Sequence, residues 1–106
     1  MAETKIIYNV TIQIEKDVAE EWLNWMKEVH VPDVMATKMF ESYQISRIIK
    51  DQPEGISYAV QYVCKDMKTL HHYQVNFAQK LQAQHTDRYK EKFVAFRTLM
   101  EIVACS

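Results

Sequence analysis

Glycine is nearly missing from this chain, with Gly55 the single example in 106 residues, and proline occurs only at Pro32 and Pro53. Almost nothing therefore interrupts regular structure, which argues against a loop-built or disordered protein. Cysteine is as scarce: Cys64 and Cys105 form no C-x-x-C pair and no Cys/His cluster with zinc spacing, so neither a disulfide framework nor a zinc site is expected. Two free thiols suit a reducing cytoplasm. No apolar run approaches the roughly 20 residues that a spanning helix needs. Met1 to Lys5 carry no basic-then-apolar leader pattern, so a cytoplasmic protein with no membrane partner is expected. Excess charge is absent too. The 13 Lys and Arg against 14 Asp and Glu leave a net charge of −1 with no block of either sign, which speaks against a nucleic-acid partner. No phosphate loop, repeat, metal cluster or complete catalytic motif is present, and no cofactor is expected. The length suits one domain over residues 1–106.

What the chain has in quantity is hydrophobic pattern, at 48% of residues. Residues 5–14 alternate, Ile6, Tyr8, Val10, Ile12 and Ile14 against Ile7, Asn9, Thr11 and Gln13, and predict a first strand. Asp17 followed by Glu20 resembles a capping box, and Val18, Trp22, Met26 and Val29 make a helical stripe over 17–30. Pro32 predicts a bend at His30 and one further turn over 32–37. Residues 40–50 and 56–64 are rich in β-branched and aromatic types, and Asp51 to Gly55 form the loop of a hairpin between them. Asp66 can cap a second helix with the stripe Met67, Leu70, Tyr73, Phe77 and Leu81, continuing less regularly through Tyr89 with a break near Gln84. Alternation over 93–103 predicts the fourth strand.

The order βαββαβ defines an α+β, ferredoxin-like split arrangement: a four-stranded antiparallel sheet with both helices on one face. The other face, carrying Ile7, Val63, Phe93 and Leu99 or their pleat neighbours, is then uncovered. That is more apolar surface than a monomer of this size shows to water, and a second copy is the simplest cover. A homodimer is expected.

The stretches Ile6-Ile7-Tyr8-Asn9-Val10, Glu21-Trp22, Trp25-Met26-Lys27, His30 to Thr37, Tyr58 to Tyr62 and Ala95-Phe96-Arg97-Thr98 together resemble an uncharacterised bacterial domain-of-unknown-function family. The resemblance covers nearly the whole chain. It implies the dimeric α/β barrel superfamily, which includes cofactor-independent monooxygenases, small isomerases and haem-degrading enzymes. Two departures stand out: the family's glycine after Ala36-Thr37 is Lys38 here, and a proline expected near Ala78 is absent. The resemblance supplies no catalytic residue.

Among residues that could carry chemistry, His30 is foremost. It ends a helix at a bend, where the helix C-terminus favours the imidazolium, and could bind, exchange a proton or simply cap carbonyls. Asp33 could pair with it or occupy the first turn behind Pro32. Trp22 and Trp25, three apart, share part of a helix face and serve either as core or as an aromatic wall for a planar ligand. Asn9, Gln61 and Arg97 interrupt strands one, three and four, which lie close enough for these side chains to converge. Arg97 is then the anion-binding candidate, or pairs with Glu101. Adjacent His71 and His72 point about 100° apart and cannot share one metal. The leading reading is a homodimer that binds a small molecule, either between helices and sheet or between two sheets. The alternatives are a dimerisation module without ligand and a cofactor-independent monooxygenase or isomerase.

Overall fold

The computed structural model describes residues 4–50 and 53–106. Four antiparallel strands, β1 (Ile6–Ile14), β2 (Ser42–Arg47), β3 (Ile56–Cys64) and β4 (Phe93–Glu101), lie in the order β2-β3-β1-β4. The helices are α1 (Ala19–Trp25), α2 (Val31–Met35), α3 (Met67–Asn76) and α4 (Ala78–Arg88). This is the ferredoxin-like α+β fold anticipated from the element order.

Register follows from the alternation in β1. Val10 faces Val60 on one side and Arg97 on the other, so the row Tyr8, Val10, Ile12 and its partners line one sheet face together. That row is buried beneath the helices with Trp22, Met26, Val31, Val34, Leu70, Tyr73 and Leu81. Tyr8, Phe40, Tyr62 and Tyr73 form an aromatic cluster at one end of this core, with centroid separations of 4.7 Å for Phe40–Tyr73 and 5.9 Å for Tyr8–Tyr73. Offset and edge contacts of this kind add about 0.5–1.5 kcal/mol each beyond burial.

The opposite face carries Ile7, Asn9, Thr11 and Gln13 from β1 and, by the same register, Val63, Gln61, Ala59 and Ser57 from β3 and Val94, Phe96, Thr98 and Met100 from β4. Ile7 and Val63 were placed on this face from sequence; Phe93 and Leu99 belong to the helix-facing parity instead, opposite Ile14 and Tyr8. Their pleat neighbours Val94 and Phe96 are the exposed apolar groups there, at 63% and 62%. A polar row, Gln44, Gln61, Asn9 and Thr98, crosses the whole sheet on this face.

The first helical segment departs from the predicted helix-then-bend. A 3-10 turn (Lys16–Val18) enters α1, a π-helical segment (Met26–His30) follows, and α2 continues with no break. The Val31 N–H reaches back to the Met26 carbonyl, and Val31 keeps right-handed helical dihedrals although Pro32 follows. A proline ring inside an α-helix collides with the carbonyl one turn earlier; widening that turn relieves the collision. The capping box is not formed either, since Asp17 pairs with Lys92 at 3.2 Å.

Asp66 does cap α3, accepting from the Thr69 N–H at 2.7 Å. The break in the second helical segment comes at Phe77 (φ −127°, ψ −32°) and not near Gln84. Asn76 Nδ2 donates to the His72 carbonyl at 2.9 Å, the acceptor one turn back, and such side-chain competition bends helices. Strand β2 is shorter than 40–50 because the chain turns away after Ile48, whose N–H still donates to the Ser57 carbonyl at 2.9 Å, and leaves Ile49 97% exposed. Strand β4 ends at Glu101, where its partner β1 ends at Ile6. Of the hairpin loop, Asp51 and Gln52 lie outside the described residues. Gly55 packs so tightly that a Cβ there would sit 2.7 Å from the Ile14 carbonyl oxygen.

Candidate functional site

The inward row of β1 and β4 and the two helical segments enclose a cavity of ≈ 40 Å³, room for about three water-sized groups. Val10, Ile12, Met26, Val34, Val60 and Leu81 supply its apolar wall. Into this wall project His30 from the π-helical segment, His85 from α4, Tyr8 from β1 and Arg97 from β4. Tyr8, Gln82, Thr86 and Arg97 also line an outer groove of ≈ 530 Å³ beside β4, and so form the mouth between groove and cavity.

His30 closes the π-helical segment, and its spacing of four from Met26 and from Val34 puts the three on one side, where they line the cavity together. Its ring stacks on Trp25 at 5.2 Å and stands 5.7 Å from His85. Nδ1 of His30 is buried with no hydrogen-bond partner among the described residues. Burial lowers its pKa to about 4, against a smaller upward pull from Asp33 and a further lowering by Arg97. This reverses the expectation of an imidazolium favoured by a helix end: the helix does not end there, and the ring is neutral at pH 7.

His85 is held by Trp22, whose indole Nε1–H donates to His85 Nε2 at 2.8 Å. That bond leaves the His85 proton on Nδ1. Burial lowers His85 to about 4 as well, with His30 and Arg97 adding to the effect. Arg97 Nε–H donates to the Tyr8 hydroxyl oxygen at 3.0 Å, and Gln82 Nε2 donates to the same oxygen at 3.4 Å. Arg97 thus hydrogen-bonds to Tyr8 and forms no ion pair with Glu101. The site holds two neutral imidazoles, the phenols of Tyr8, Tyr62 and Tyr73, and one permanent cation.

His30 and Arg97 both line the cavity, Arg97 from its exposed side. Trp22 and Trp25 both contact His85, at 6.3 and 5.9 Å, and position the histidines from behind without lining the cavity. Asp33 is exposed in the first turn of α2 and acts on His30 only through its charge. Asn9 and Gln61 are directly paired but lie on the uncovered sheet face, so they do not converge with Arg97. Residue parity decides this: Arg97 opposes Val10, one residue out of phase with Asn9. The polar residues missed from sequence include His85, Tyr8, Gln82 and Thr86, with Tyr62 and Tyr73 behind them. His85 was legible in principle, since Ala78, Leu81, His85 and Tyr89 form one buried helical stripe. Among the described residues, no three His, Cys, Asp or Glu side chains gather as a metal site.

A family model described as a domain of unknown function (DUF4286) matches residues 5–103. The chain belongs to that family. No curated protein sequence matches it. Solved structures similar in fold include a conserved protein of unknown function from Bacteroides thetaiotaomicron, described as a possible oxidoreductase. Its TM-score is 0.69 at 13% identity, over 95% of this chain and 100% of that one. An EthD-like protein from Ralstonia eutropha gives 0.70 at 12% identity over 96% and 95% of the two chains. A dimeric ferredoxin-like protein from an uncultured marine organism gives 0.64 at 12% identity over 98% and 100%. At such identities the similarity establishes the fold alone.

Proposed function

We propose that the chain, as one domain over residues 1–106, is a cytoplasmic homodimer that binds a small molecule in the cavity between helices and sheet. The observation that carries the binding reading is His30 Nδ1, a buried ring nitrogen without a partner in the same cavity as Arg97. Buried polar atoms are nearly always satisfied, and exceptions concentrate where a ligand completes them. Differential scanning fluorimetry against a small-molecule library tests it. Ligands that raise the melting temperature of the wild type and not of Ala95→Phe, which fills the cavity from β4, support the reading. Stabilisation equal in both proteins contradicts it.

The homodimer reading is supported by the exposed Val94 and Phe96 on the uncovered sheet face and by the buried, unpartnered Asn9 Oδ1 beside them. A second sheet laid on this face would cover the former and could donate to the latter. The similar marine protein is described as dimeric. The cytoplasmic assignment is supported by two free thiols, Cys64 buried and Cys105 exposed. A catalytic reading, as a cofactor-independent monooxygenase or isomerase, draws on one further observation. His30 is uncharged at neutral pH, so its ring could exchange a proton with a bound substrate.

A further inference from the structure

We infer that the ligand is a short monocarboxylic acid bearing a hydroxyl or oxo group at its far end, with its carboxylate held at the cavity mouth. This rests on the reading of the cavity as a small-molecule site and specifies its chemistry. Each of the four mouth residues, Tyr8, Gln82, Thr86 and Arg97, can donate a hydrogen bond, and none is negatively charged. The Tyr8 hydroxyl oxygen already accepts from Arg97 Nε and Gln82 Nε2, so its own proton is the part left to give. Arg97 spends only Nε on Tyr8. Its two terminal amino groups have no carboxylate within ion-pair distance among the described residues. A guanidinium with a free edge beside a phenol donor matches a carboxylate in charge and geometry.

The charge balance fixes one anionic group. Burial keeps His30 and His85 neutral, so Arg97 is the cation a bound anion meets, and the acid that lines the groove, Asp87, stays outside the mouth. A second negative charge placed farther in would meet neutral groups and no second cation, at a large desolvation cost. Beyond the mouth the ≈ 40 Å³ of cavity admits about three heavy atoms. Within the cavity the unpartnered Nδ1 of His30 needs a hydrogen-bonding group. A hydroxyl satisfies that nitrogen in either tautomer, because it both donates and accepts.

The test uses three probes of one carbon-chain length, 3-hydroxypropanoate, propanoate and 3-hydroxypropanamide, titrated by NMR into the wild-type protein, Arg97→Gln and His30→Phe. The wild type should bind the hydroxy acid roughly tenfold or more tightly than the amide, the usual scale for a hydrogen bond to a charged group. Arg97→Gln should erase the preference of acid over amide, and His30→Phe the preference of hydroxy acid over propanoate. The acid and amide comparison on wild type needs no variant to fold. Equal binding of acid and amide overturns the carboxylate assignment while leaving a binding cavity in place. Binding of none of the three probes also overturns it, and the cavity reading then stands or falls on its own library screen.

Discussion

Lys38 adopts a left-handed backbone, φ 67°, directly after α2. Its N–H closes the turn on the Met35 carbonyl at 3.1 Å. Only glycine accepts that geometry without steric cost, and this is the position where the family resemblance calls for glycine. Lys38→Gly should therefore stabilise the protein by about 0.5–1 kcal/mol, read as a higher midpoint in urea unfolding. A lower midpoint would show that the lysine side chain contributes more than the strain removes. The two cavity histidines give a pH prediction. Both have folded pKa values of about 4 against an ordinary 6.5. Between those values the unfolded chain holds more protons than the folded one, so stability is full above about pH 6.5 and is lost as pH falls toward 4. The expected loss by pH 5 is on the order of 1–2 kcal/mol per histidine. Unfolding midpoints for wild type and His85→Phe should converge as the pH drops; parallel curves from pH 7 to 4 would mean the histidine is not buried neutral.

At the scale of elements, the strands were legible because alternation is a local signal, and β1, β3 and β4 lie within two residues of their predicted limits. The helices were less so. A π-helical segment has no compositional mark, and Pro32 invited a bend where the backbone instead widened by one residue. The kink at Phe77 depends on an Asn76 side-chain bond that periodicity does not register. The predicted helix runs through Tyr89 and so covers His85, but a break near Gln84 hides that His85 continues the buried stripe of Ala78 and Leu81. The capping reading at Asp66 was sound, since Asp66 needs only its own residue and Thr69 to work. Asp66→Ala should cost about 1 kcal/mol and raise amide exchange in the first turn of α3. Unchanged exchange at Leu70 would remove the cap from the account.

For the whole molecule, the sheet sorts function onto two faces. His30 and Arg97 share the cavity between helices and sheet, whereas Asn9 and Gln61 fall on the uncovered face by a shift of one residue. Sequence gives the parity of each strand but not which residues of two strands stand opposite, so convergence across strands was only partly readable. Phe96→Glu, on the uncovered face, should turn a dimer into a monomer in sedimentation velocity at micromolar concentration while leaving the cavity intact; a monomeric wild type would contradict the homodimer. The cavity itself is tested most directly by long-range ¹H–¹⁵N NMR of the four histidine rings during addition of a ligand that raises the melting temperature. The account predicts that the His30 and His85 ring nitrogens shift while those of the exposed His71 and His72 stay in place. Shifts confined to His71 and His72, or none in any ring, would contradict a ligand site between helices and sheet.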